Sequence, residues 1–150
     1  MPWPHIQLSA DPAAFPAHPP ADLSDPAVIA AHDQAAFDAV ETMVDHWDRP
    51  GWTAQTRAYY WMLTFPDSPA LADLALRCQQ HLAPLGLDPV PDDGLHITLT
   101  RVSSAAALPL SRLDDVISAA APLLPAAFRL RAVPLAGSRG AVRLTVAPWG

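Results

Sequence analysis

A single cysteine, Cys78, in 150 residues excludes an intrachain disulfide and any zinc site assembled from this chain's own thiolates. Charge is also scarce. Only 16% of residues are charged, 9 basic against 15 acidic, giving a formal net charge of −6, so no broad positive field exists to draw in long nucleic acid by counterion release. No run approaches the roughly 20 apolar residues of a membrane span. The opening Met-Pro-Trp-Pro-His has neither the basic start nor the continuous apolar stretch of a secretory signal. These absences point to a soluble, cytoplasmic protein with no membrane partner, in which any RNA contact is local. Glycine is sparse too, 6 residues against 18 prolines, which predicts many sharp element boundaries. Apolar residues are plentiful at 51%, which excludes an acidic disordered chain. The length suits one domain, with a core expected to be rich in Ala and Leu.

Residues 1–24 are proline-rich, with scattered Ala and Asp, a composition that predicts an extended N-terminal arm. Asp25-Pro26 then reads as a helix start, with Asp at the cap and Pro at the first helical position. Ile29, Ala36, Val40, Met43 and Trp47 form its stripe, and the helix is expected to run to the Asp48-Arg49-Pro50-Gly51 break. The aromatic run Tyr59 to Phe65 predicts a buried strand closed by Pro66. Ser68-Pro69 opens a second helix, with Leu71, Leu74, Cys78, Leu82 and Leu85 at helical spacing and Gly86 as its stop. Within it Cys78 is expected as a small buried hydrophobe. Leu95 to Val102 follows as a strand. Pro109 opens a third helix with Leu113, Val116, Ile117 and Ala120 inward. Phe128 to Leu135 and Ala141 to Ala147 read as strands of a hairpin turned by Gly137-Ser138-Arg139-Gly140. The order α, then β-α-β-α-β-β, argues for an α+β or α/β layer of helices on a sheet.

The strand Leu-His-Ile-Thr-Leu-Thr carries the chemistry. Alternation sends His96, Thr98 and Thr100 to one face and Leu95, Ile97 and Leu99 to the other. His96 and Thr98 then lie about 7 Å apart along the strand, near enough for both to touch one phosphate group. An imidazole moves a proton near neutral pH and a hydroxyl donates to a non-bridging oxygen. With six histidines, one His-x-Thr also arises by chance, and a solvent-facing strand histidine needs no function. The context favours chemistry: the motif follows Asp92-Asp93-Gly94, the opposite strand face is apolar, and none of the other five histidines has Thr or Ser two positions on.

Four segments carry a family resemblance: Tyr-Tyr-Trp-Met-Leu-Thr-Phe with its following helix, Pro-Val-Pro-Asp-Asp-Gly-Leu-His-Ile-Thr-Leu-Thr-Arg, Pro-Leu-Ala-Gly-Ser-Arg-Gly-Ala-Val-Arg-Leu-Thr-Val-Ala-Pro-Trp, and the upstream Val-Asp-His-Trp-Asp-Arg-Pro-Gly-Trp. Together, over roughly Asp25 to the C-terminus, they resemble the actinobacterial 2′-5′ RNA ligase family of the two-histidine (2H) phosphoesterases. The resemblance implies an α+β lobe, an antiparallel sheet with packed helices, belonging to a bilobal fold in which each lobe offers one His-x-Thr or His-x-Ser motif to a shared cleft. It implies a 2H phosphoesterase acting on 2′,3′-cyclic phosphates or 2′-5′ phosphodiester bonds without metal or cofactor. One histidine would be general base and the other general acid, with RNA ends or small cyclic-phosphate nucleotides as partners. His96 and Thr98 would be the first pair. The sequence departs from the family at Ala-Pro-Trp-Gly, where a relative would continue to a second motif. The expected organisation is therefore an arm over 1–24 and the first-motif half of a 2H domain over 25–150, an incomplete bilobal fold with impaired activity. The alternative is a non-catalytic lobe that pairs with another chain, or a homodimer that brings two copies of His96 together.

Weaker candidates surround this pair. Tyr60 shares a face with Met62 and Thr64 and is a candidate to flank a bound base, although strand tyrosines usually pack. Arg143, between Val142 and Leu144, and Arg139 in the turn are candidates to meet phosphate, although an outward hairpin arginine is usually only solvated. His32, His46 and His81, all on predicted helices, read as surface or packing residues without ligand-like spacing.

Overall fold

A computed structural model describes residues 8–149, and the elements follow the expected order. They are α1 (Pro26–Asp38), β1 (Ala58–Thr64), α2 (Pro69–Leu82), β2 (His96–Ser104), α3 (Leu113–Ala120), β3 (Arg131–Gly137) and β4 (Val142–Ala147). The architecture is mixed α+β, with two separate two-stranded antiparallel sheets, β1–β2 and β3–β4. The chain gathers into two compact units. One combines the described residues up to Thr53 with those from Leu124 on, and the other is Ala54–Leu123.

In the first unit α1 packs on the β3–β4 hairpin. Its start is built as the sequence predicts: the Asp25 carboxylate accepts from the Ala27 N–H at 2.8 Å, and Pro26 occupies the first turn. Just before it, Asp22 accepts from the Ser24 N–H (2.8 Å), the Ser24 hydroxyl (2.8 Å) and the Asp25 N–H (3.1 Å). These bonds, led by the Ser24 N–H, hold the Asp22 carboxyl below its ordinary range. Ile29, Val133, Ala136 and Ala147 form the buried apolar core, with Ile29 wholly enclosed at 0% exposure. Residues 8–24 belong to this unit, and Pro16 and Pro20 are buried in it.

The first helix is shorter than its stripe predicts, ending at Asp38 instead of reaching Trp47. The Val40 N–H closes the last turn on the Phe37 carbonyl at 2.9 Å. Beyond it Val40, Thr42 and Val44 are β-branched and resist a helical rotamer. The Val44 N–H instead donates to the Arg139 carbonyl at 2.7 Å, tying this segment to the hairpin turn. That turn forms over Gly137–Gly140 as expected, with the Ser138 N–H on the Ala141 carbonyl at 2.8 Å. Gly137 is required by crowding: a Cβ there would sit 2.6 Å from Cζ of Phe37.

In the second unit β1 and β2 pair along their length, joined by the segment containing α2. A 3₁₀ turn, Ala83–Leu85, extends α2 to Gly86, whose φ of 69° is the left-handed stop predicted from the sequence. From α2, the Gln79 side-chain amide clasps the Val90 backbone. Its Nε2 donates to the Val90 carbonyl at 3.2 Å and its Oε1 accepts from the Val90 N–H. Past this clasp, a 3₁₀ turn at Asp92–Gly94 leads into β2.

Of the core expected to be rich in Ala and Leu, alanine is present, as Ala136 and Ala147, and leucine is not. Among the described residues no leucine is buried, and none of Ala54–Leu123 reaches full burial. Leu71, Leu74, Leu82 and Cys78 are half-buried along one side of α2, and Ile117, expected inward on α3, is 48% exposed. A two-stranded sheet cannot enclose these apolar stripes.

Candidate functional site

The ladder between β1 and β2 decides which side chains share a face. Directly opposed residues of an antiparallel pair lie on the same side of the sheet. Thr64 is opposite His96, Met62 opposite Thr98, and Tyr60 opposite Arg101. The register slips between Trp61 and Met62, so Leu99 is the additional residue of a β-bulge, and Trp61 then faces Thr100.

This bulge corrects one expectation and adds one residue. Thr100 does not share the face of His96 and Thr98; it lies with Trp61, Leu63 and Ile97 on the other side. Arg101 takes its place beside Tyr60, with its guanidinium exposed and free of ion pairs and side-chain hydrogen bonds among the described residues. Met62 and Thr98 are directly opposed, and the ladder's rise puts Tyr60 and Arg101 about 7 Å further along. The face thus presents a histidine, two threonine hydroxyls, a guanidinium and a tyrosine in one line. His96, Thr98, Thr64 and Arg101 are exposed, and Tyr60 is half-buried.

His96 is held in a defined orientation. Its Nδ1 lies 2.7 Å from the Gly94 carbonyl oxygen. A carbonyl only accepts, so Nδ1 carries the hydrogen and the lone pair of the neutral ring is on Nε2. The same bond persists when the ring is protonated, and Nε2 then becomes a donor. A ring held in this way is able to take up or give a proton at Nε2 without rotating. Gly94 is itself confined: a Cβ at this position would stand 2.9 Å from Cγ1 of Val90 and 3.0 Å from Cγ of Pro91. The path from Gln79 to Val90 to Gly94 therefore sets the carbonyl that sets the imidazole.

Arg143 is in the other unit, on β4. Its guanidinium donates to the Phe15 carbonyl at 3.2 Å, lies 5.8 Å from the Phe15 ring centroid and stands 3.9 Å from Asp33 Oδ2. Its charge is therefore already engaged. Arg139 lies over the same ring at 5.9 Å.

The buried polar centre of the first unit has no counterpart in the sequence reading. Asp33 is 2% exposed on the inner face of α1. Its carboxylate accepts from the Thr145 hydroxyl at 2.8 Å and the Trp149 indole N–H at 3.1 Å, with His32 Nδ1 at 2.9 Å. Trp149 meets His32 edge to face, their centroids 5.8 Å apart. His32 thus has a packing role, as expected, in contact with a buried acid. The available signal was Asp33 itself, four residues after Ile29 on the apolar stripe. His46, expected on a helix, lies in the irregular segment after α1, edge to face with Trp47. His81 is exposed in the last turn of α2.

Among the described residues, no helix is long and apolar enough to cross a membrane, and no three metal-ligating side chains converge. The chain matches no protein-family model, no curated protein and no solved structure.

Proposed function

We propose that the His96 face of β1–β2 is one histidine–threonine half of a two-histidine phosphoesterase site, acting on 2′,3′-cyclic phosphates or 2′-5′ phosphodiester ends of RNA. The observation that carries this reading is the bond from His96 Nδ1 to the Gly94 carbonyl, which leaves the lone pair of the neutral ring on Nε2, in a residue that shares its face with Thr98 and Arg101. In hydrolysis of a cyclic phosphate, Nε2 takes a proton from water as the water oxygen bonds to phosphorus. The bond to one ribose oxygen breaks, and that oxygen must gain a proton. The Thr98 hydroxyl donates to a non-bridging oxygen and Arg101 offsets the phosphate charge. Tyr60 supplies a ring beside the phosphate for the base. The face holds one histidine, so the second proton transfer falls to another group, and its loss costs about 10²–10⁴-fold in rate.

Binding tests the site independently of turnover. Titration with uridine 2′-monophosphate, followed through the His96 imidazole by NMR, is expected to shift Nε2 strongly while the Nδ1–H signal persists. Thr98→Val is expected to weaken the titration. An unchanged His96 imidazole would overturn the assignment.

A second reading has its own support: β1–β2 has only two strands, and Leu99 at its bulge is 56% exposed. Unpaired edges beside apolar surface favour a lobe that pairs with another chain or a second copy. Sedimentation across a dilution series tests it, and a monomer at all concentrations contradicts the homodimer.

A further inference from the structure

The first unit carries an open surface pocket of about 350 Å³. Its apolar wall is the Phe15 ring with Ala36, Ala39 and Val40 at the end of α1, and Glu41 and Arg139 also line it. These two opposite charges share one pocket without forming an ion pair with each other, and neither is engaged in an ion pair elsewhere among the described residues. The Phe15 wall is fixed, because Arg143 holds the Phe15 carbonyl at 3.2 Å and lies 5.8 Å from its ring, with Arg139 at 5.9 Å from the same ring. On the Glu41 side, the last turn of α1 has no basic residue. The carbonyl end of α1 adds partial negative charge next to the carboxylate.

The pocket is thus bipolar, with a guanidinium, a carboxylate beside a helix C-terminus, and an apolar wall. We infer that it binds a zwitterion with an apolar side chain, a free amino acid or a short peptide. The ligand carboxylate meets Arg139, the ammonium meets Glu41 and the α1 carbonyls, and the side chain lies on Phe15. A phosphate is disfavoured by the single guanidinium and the facing carboxylate, and a purely apolar ligand leaves both charges unsatisfied.

The test uses the full chain and three probes: L-phenylalanine, L-phenylalaninamide without the carboxylate, and 3-phenylpropionate without the ammonium. Titrations followed by amide NMR are expected to saturate for L-phenylalanine with a Kd of about a millimolar, with shifts at Phe15, Val40 and Glu41. Each truncated probe should bind roughly tenfold more weakly. Arg139→Gln should weaken L-phenylalanine but not L-phenylalaninamide, and Glu41→Gln should spare 3-phenylpropionate. Both side chains are exposed, so unchanged circular dichroism is expected for both variants. The inference is overturned by absence of saturation at concentrations about tenfold above that Kd, by equal binding of all three probes, or by variants that discriminate none of them.

Discussion

Replacing Asp33 by Ala tests how the first unit is held together. The carboxylate is 2% exposed and receives the Thr145 hydroxyl at 2.8 Å, the Trp149 indole at 3.1 Å and His32 Nδ1 at 2.9 Å. Thr145 is 3% exposed, so its stranded hydroxyl costs about 1–3 kcal/mol. Trp149 and His32 are half-buried and recover part of their bonding from water, adding about 1–2 kcal/mol together. The contribution of Arg143 at 3.9 Å is small, because its side chain is 35% exposed. Asp33→Ala is therefore expected to destabilise by about 2–5 kcal/mol, a large share of the ~5–15 kcal/mol of a typical domain. Asp33→Asn keeps one acceptor and lets its amide donate to Thr145, so about 1–2 kcal/mol is expected. Urea unfolding, with amide exchange at Ile29 reporting on the first unit, gives the comparison. An Asp33→Ala variant within about 0.5 kcal/mol of the parent, the ordinary range of a surface substitution, would refute the reasoning.

Gly137→Ala places a Cβ 2.6 Å from Cζ of Phe37, so a loss of about 1–3 kcal/mol is expected, read as a lowered melting temperature. Asp22 has a folded-state pKa below its ordinary 3.8. Its carboxylate therefore contributes stability that is present above that value and disappears as pH falls through the lowered one. Asp22→Asn should remove this contribution, so the stability gap between parent and variant should narrow below pH 3.8, measured by unfolding at stepped pH. Arg101→Gln should weaken uridine 2′-monophosphate by about threefold to tenfold without altering the Nδ1–H signal of His96. Equal affinity would remove Arg101 from the site.

The features legible in the sequence were those with local causes. Asp25-Pro26 started α1, Gly86 stopped α2, Gly-Ser-Arg-Gly turned the hairpin, and alternation placed His96 with Thr98. The bulge at Leu99 was not legible, since Leu-Thr-Arg contains no glycine or proline to mark it. One slipped residue exchanged Thr100 for Arg101 on the site face. The end of α1 was missed because a partner outside the local window, the Arg139 carbonyl, captures Val44. Asp33 was missed for a similar reason: its burial depends on Thr145, 112 positions away. The leucine stripes lie on helices, as their spacing predicts, but helical period does not reveal whether enough sheet exists to cover them.

The central claim is that His96 moves the proton in phosphate-ester chemistry. The most direct measurement is hydrolysis of uridine 2′,3′-cyclic phosphate, without added metal and over a protein dilution series, by the parent chain and by His96→Ala. The account predicts a rate, however slow, that falls by about 10²–10⁴-fold when the imidazole is removed. Equal rates for the two proteins at every concentration would contradict it.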